Sequence, residues 1–184
     1  METAVKTGVV RASFAHVFEP YAGNEGAEPK YSIMALIDKN DKKTIKAINQ
    51  AIEAAKEIGK DKCWGGKIPK NLKLPLRDAD EEKDTDDHPE YEGMMFFNAS
   101  SKRKPGVINR NRETLINDDE FWSGCYCKLS VNLYPYSVSG SNGIAVGLNN
   151  ILLWEEGERF GGGRASAESD FADDFDEDDD DDLM

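Results

Sequence analysis

Long apolar runs are missing from this chain of 184 residues, the longest clear one covering only residues 33–37. A membrane-spanning helix needs roughly 18 such residues, so no membrane segment is expected. Histidine occurs twice, as His16 and His88, and cysteine three times, as Cys63, Cys125 and Cys127. Paired C-x-x-C motifs are absent and the histidines lie far apart, which argues against zinc. An odd cysteine count with a C-x-C whose members share a strand face argues against a disulfide framework and fits a reducing compartment. The opening METAVKTG has no basic region followed by an apolar stretch, so no signal peptide is expected and the cytoplasm is the expected location. Gly65-Gly66-Lys67 lacks the G-x-x-x-x-G-K-[ST] frame of a phosphate loop. Two histidines on polar or turn-like segments give no Ser-His-Asp or Cys-His arrangement. No catalytic residue, metal or cofactor is expected.

Charge is plentiful but uneven. The totals are 36 acids and 23 bases, a net of −13. Residues 165–184 hold 11 of the acids and no base, which leaves 25 acids and 23 bases in residues 1–164. A second acidic run, residues 78–92, holds 9 acids and one lysine. Without it the rest of the body carries 16 acids and 22 bases. The chain therefore reads as a mildly basic domain with two acidic segments.

The body shows strand patterning with one helix. Residues 5–18 alternate as a strand, with Val5, Thr7 and Val9 on one side and Val10, Phe14 and Phe18 nearer the other. Residues 31–37 form a short central strand, apolar on both faces. Asp41 can cap a helix over 42–58, where Ile45, Ile48, Ile52 and Ala55 make one stripe and Gly59 is the expected stop. Residues 60–77 read as a long basic loop and 78–92 as a polar acidic excursion. Strand signals resume at 94–99 and 107–108. The strongest strand covers 121–136, and a turn at 139–143 joins it to another over 144–154. FGGGR after Arg159 reads as a hinge, and the segment beyond it is too acidic to bury a core. The expected organisation is a domain over residues 1–160 and a flexible hinge and tail over 161–184. Many short strands with one helix imply a mainly β fold, an OB-type antiparallel barrel.

The strand over 121–136 has two unlike faces. Phe121, Cys125, Cys127, Leu129, Val131 and Leu133 point one way, towards a core. Trp122, Tyr126, Lys128, Ser130, Asn132, Tyr134 and Tyr136 point the other. Large rings interleaved with a lysine on the face that should meet water suit the stacking of unpaired bases, each worth roughly 1 to 3 kcal/mol. Two basic stretches can supply phosphate contacts. One holds Trp64, Lys67, Lys70, Lys73 and Arg77; the other holds Lys102, Arg103, Lys104, Arg110 and Arg112. The ordinary alternative is that the rings are core and the lysines merely solvated.

Five blocks of text, in order, resemble the phage-encoded single-stranded-DNA-binding proteins with an OB fold. They are FEP with EPKYS (residues 18–20 and 28–32), CWGGKIPKNLKLPLRDAD (63–80), NASSKRKPGVI (98–108), SGCYCKLSVNLYPY (123–136) and NGIAVGLNNI (142–151). The resemblance spans nearly the whole body and extends to an acidic tail. It implies a protein that protects and organises single-stranded DNA during phage replication, recombination or repair, without catalysis. The implied groove is lined by the two basic stretches and floored by Trp122, Tyr126, Lys128 and Tyr134, with Phe97 a further member. The tail residues Phe171, Phe175, Asp178, Asp182, Leu183 and Met184 are the implied contact for phage or host replication and recombination proteins. Tails of this kind often end in an aromatic residue, whereas this chain ends Leu183-Met184.

Two rival functions make different demands. A metal-dependent nuclease or recombination enzyme would use the acids of 78–92. An acidic DNA mimic or chaperone would act through the tail and ignore oligo-dT. A small barrel can also self-associate along a strand.

Overall fold

The computed structural model of the chain describes residues 2–23 and 26–160. The six tail residues named above lie outside the described residues. In chain order the elements are β1 (Ala4–Lys6), β2 (Val10–Tyr21), β3 (Lys30–Asp38), α1 (Lys42–Lys62), β4 (Arg77–Asp78), α2 (Ala79–Glu82), a 3-10 turn (Pro89–Tyr91), β5 (Met94–Ser101), β6 (Gly106–Ile108), β7 (Tyr126–Val138) and β8 (Ser141–Glu155).

Five of the strands close a ring. β2 pairs with β3, β3 with β5, β5 with β8, β8 with β7, and β7 returns to β2. Short β1 and β6 extend it, pairing with β7 and β8. The fold is mainly β with one main helix, of the OB type expected. It is not antiparallel throughout, because β8 runs parallel to both β5 and β6.

The inward faces make one core. Cys127, Leu129, Val131 and Leu133 of β7 meet Ile144, Val146, Leu148 and Ile151 of β8, with Ile33, Ala35 and Ile37 of β3. Each such aliphatic side chain contributes about 1.5–3 kcal/mol on burial. Helix α1 lays Ile48, Ala51, Ile52 and Ala55 on this core. Asp41 caps it as expected, its carboxylate accepting from the Thr44 N–H at 3.1 Å.

Several local expectations change. Helix α1 runs through Gly59 to Lys62, because this glycine is a packing residue. A Cβ there would stand 2.6 Å from the Pro135 Cβ and 2.6 Å from the Trp64 ring. The first strand breaks into β1 and β2 at Gly8, whose N–H donates to the Thr44 hydroxyl at 2.9 Å. The acidic run 78–92 is folded: Asp78 caps α2, and Ala79 and Tyr91 pack with Met34, Leu36 and Phe96 on the outside of β3 and β5. The Lys39 ammonium bridges Asp78 at 2.8 Å and Asp80 at 2.6 Å, fastening this flap to the end of β3.

The β7–β8 turn is tighter than expected. Val138 pairs with Ser141, so only Ser139 and Gly140 form the loop. Both have positive φ, +47° and +80°, the geometry of the two-residue hairpin turns that match strand twist.

Candidate nucleic-acid interface

Strand β7 carries the candidate face, and its burial alternates residue by residue from Tyr126 to Leu133. Tyr126, Lys128, Ser130 and Asn132 face outward between the buried core residues, followed by Tyr134, 42% exposed. At about 3.3 Å per residue this face runs some 33 Å from Tyr126 to Tyr136.

A glycine on β8 sets the posture of Tyr136. Tyr134 pairs with Ala145 and Tyr136 with Gly143. A Cβ on Gly143 would meet the Tyr136 hydroxyl at 2.6 Å, whereas one on Gly147 would make only ordinary contact with the Tyr134 ring at 3.6 Å. The bare backbone at Gly143 therefore lets the Tyr136 ring lie across the neighbouring strand.

The basic stretches flank opposite ends of this face. Near the hairpin turn, Lys73 exchanges backbone hydrogen bonds with β8: its N–H donates to the Asn142 carbonyl and its carbonyl accepts from Ile144, both at 2.9 Å. Trp64 anchors the same stretch by donating its indole N–H to the Tyr136 carbonyl at 3.3 Å, while its ring packs against the core. Lys67 and Lys70 stand exposed in the loop between. At the far end, β6 pairs with β8 and leads into a turn organised by the Asn109 side chain, which accepts from the Asn111 and Glu113 N–H groups at 2.9 and 3.0 Å. That turn presents Arg110 and Arg112. Arg110 lies over the Trp154 ring at 4.2 Å, and Lys128 lies 4.3 Å from the same ring centre.

Trp154 was not singled out by the sequence reading, although cations from two segments, Arg110 and Lys128, converge on its ring. The reason is a register effect. Counting back from the Val138–Ser141 turn without interruption sets Lys128 opposite Ile151, but a bulge between Ser130 and Val131 sets it opposite Leu152. One inserted residue reverses which side chains share a face. The run Ile151-Leu152-Leu153-Trp154, apolar throughout, gave no alternation from which to notice it.

Arg11 was missed as well. Its guanidinium lies 5.1 Å from the Tyr126 ring centre and 4.3 Å from that of Phe160, and it donates to the Gly124 and Glu158 carbonyls. Trp122 belongs to the same end. Its indole N–H donates to the Gly157 carbonyl at 2.8 Å and Arg159 lies over its ring at 4.5 Å. Lys6, Lys128, Ser130, Asn150, Leu152 and Ile108 border an open groove of about 370 Å³ on this side of the ring.

Not every expected residue joins the site. Phe97 is 1% exposed in the core, because its position on β5 alternates inward with Ala99, so its ring cannot stack a base. Arg77 is drawn away by the acidic flap. It hydrogen-bonds the Glu82 carboxylate through Nε and Nη2 and covers the Phe96 ring. That pairing holds the Arg77 guanidinium above its ordinary pKa and the Glu82 carboxyl below its own. Lys102 reaches Glu28 at 3.3 Å, while Arg103 and Lys104 follow it in an exposed turn.

Burial pushes the thiols of Cys125 and Cys127 up, away from the reactive thiolate. Among the described residues no three His, Cys, Asp or Glu side chains converge as metal ligands, and no helix is long and apolar enough to cross a membrane.

Residues 3–184 match the family model described as the single-stranded-DNA-binding protein of Enterobacter phage Enc34. The chain belongs to this family. Among its relatives is putative protein p50 of Acyrthosiphon pisum secondary endosymbiont phage 1, 31% identical over 171 residues, with 89% of this chain and 90% of that protein covered. Among solved structures, the bacteriophage Enc34 single-stranded-DNA-binding protein in complex with ssDNA superposes with a TM-score of 0.74 at 30% identity, covering 86% of this chain and 90% of that one. The single-stranded-DNA-binding protein gp2.5 of bacteriophage T7 shares the fold, with a TM-score of 0.61 at 16% identity and 94% of both chains covered.

Proposed function

We propose that this Enc34-family protein binds single-stranded DNA with little regard to sequence, stacking bases on outward rings and neutralising phosphates with lysine and arginine. The observation that carries this reading is the convergence of Arg110 and Lys128 on Trp154, on the outward side that also bears Tyr126 and Tyr134. An aromatic face beside mobile cations is sequence-tolerant because every base has a π-face and every nucleotide a phosphate. Membership of the family, and the Enc34 relative solved with ssDNA, support the choice of ligand.

In this reading the protein shields and organises single strands during phage DNA replication, recombination or repair, in the cytoplasm of the host, and catalyses nothing. The acids of 78–92 are better used as structure than as metal ligands, since Lys39 and Arg77 already hold Asp78, Asp80 and Glu82. Residues 161–184 act as a separable acidic tail that competes with DNA for the cations and, once displaced, engages replication or recombination proteins.

Titration with oligo-dT, followed by tryptophan fluorescence and compared with duplex, tests the reading. Quenching by the single strand at far lower concentration than by duplex is expected. Equal response to both, or turnover of a labelled oligonucleotide with Mg²⁺ or Mn²⁺, would overturn it.

A further inference from the structure

Phe14 is on the wrong side of its strand. Val10 and Ala12 point into the core, and simple alternation along β2 would send Phe14 after them. A bulge between Ser13 and His16 intervenes. Ala15 and Val17 take over the inward positions, and Phe14 emerges 58% exposed with φ at +45°. A bulky side chain with that backbone is a genuine outlier, under a strain that glycine would not carry. The bulge is held from outside the strand, since the Ala15 N–H donates to the Ser123 hydroxyl at 3.0 Å and the Gly124 N–H to the Ala12 carbonyl at 2.8 Å. Thus the fold needs a bend here but does not need a phenyl ring. A ring that stays more than half exposed and strains its backbone breaks a local rule, as side chains with a task at the surface do.

Its surroundings narrow the task. Further along β2, His16 and Tyr21 stack with ring centres 4.3 Å apart and planes 9° from parallel, and Tyr21 is exposed. Ala15, His16 and Glu19 line a pocket of about 360 Å³ together with Asp118, Trp122 and Arg159, the guanidinium lying over the Trp122 ring. The stacked His16–Tyr21 pair and Trp122 make this end of the molecule rich in flat rings, which suits a planar ligand that can stack.

We propose that Phe14 is a stacking side chain for an unpaired base, forming a second contact for single-stranded DNA apart from the Trp154 ring. The bulge orients the ring outward before the strand arrives, so no ordering of that backbone is required on binding. This proposal rests on the single-strand reading above. It adds a contact on β2 to those on β7 and β8.

Phe14→Gly, Phe14→Ala and Phe14→Trp distinguish a working ring from a structural one, with oligo-dT affinity and melting temperature read on the full chain. Glycine suits the positive φ, so Phe14→Gly should melt at the same temperature as the parent or a few degrees higher. Its affinity, and that of Phe14→Ala, should nonetheless fall about fivefold to a hundredfold, and Phe14→Trp should retain parental binding. Parental affinity in both the Gly and Ala variants would overturn the proposal, and a change in sedimentation with unchanged oligo-dT affinity would assign the ring to protein contact instead. If the parent itself ignores oligo-dT, it is the single-strand reading that has failed.

Discussion

The guanidinium of Arg110 lies 4.2 Å from the centre of the Trp154 ring, bringing a turn after β6 onto the last part of β8. A cation over an indole face contributes about 0.5–1 kcal/mol where both remain partly wet. The pair also keeps a flat ring beside a positive charge, which is the combination a base and its phosphate require. Replacing Trp154 by Ala should weaken oligo-dT binding by about 1 to 3 kcal/mol with the fold intact by circular dichroism. Wild-type affinity in that variant would remove Trp154 from the interface.

Salt should report the cations separately from the rings. Binding to a single strand loses affinity with a logarithmic slope near −0.7 for each phosphate neutralised. Arg110→Ala and Lys128→Gln should each flatten the slope by roughly that amount, whereas Tyr134→Ala should lower affinity at every salt concentration and leave the slope alone. A parent whose affinity does not change with salt would contradict phosphate contact altogether.

Gly59 offers a test of packing against helix propensity. In an open helix, Gly→Ala gains about 1 kcal/mol. Here the added methyl would lie 2.6 Å from the Pro135 Cβ and the Trp64 ring, and overpacking of this kind costs about 1–3 kcal/mol. The Gly59→Ala variant should therefore melt below the parent, and a rise in melting temperature would show that α1 can shift away from β7.

Acid should loosen the flap over β3 and β5. The Lys39 ammonium, and after it the Gly93 N–H, hold the Asp80 carboxyl below its ordinary pKa. A carboxyl lowered in the folded state stabilises the fold above its unfolded value of about 4, and that contribution disappears as pH falls through the lowered folded value. Asp80→Asn should melt below the parent at neutral pH, with the two curves converging below about pH 4. An offset that persists unchanged in acid would mean that the side chain acts through its shape and not its charge.

Several features could be read from residue order because they depend on local periodicity. Cys127, Leu129, Val131 and Leu133 alternate with Tyr126, Lys128, Ser130 and Asn132, and a strand with two such faces has little choice about which one enters the core. Asp41 ahead of an apolar stripe spaced three and four apart likewise specifies where α1 begins. The mainly β class and the helix followed from signals of this range.

Other features arose only when distant segments met. Gly59 looks like a stop until Pro135, 76 positions later, occupies the space its side chain would need. Arg77 looks like a groove cation until Glu82 and Phe96 claim it. Phe97 and Phe14 exchange the roles their text suggests, one sinking into the core by alternation on β5 and the other turned out of it by a bulge on β2. By itself the sequence determined the strand periods, the helix start and the uneven distribution of charge, all set by neighbours within a few residues. Which rings and cations meet was decided by tertiary structure, because bulges and register link residues that no local pattern connects.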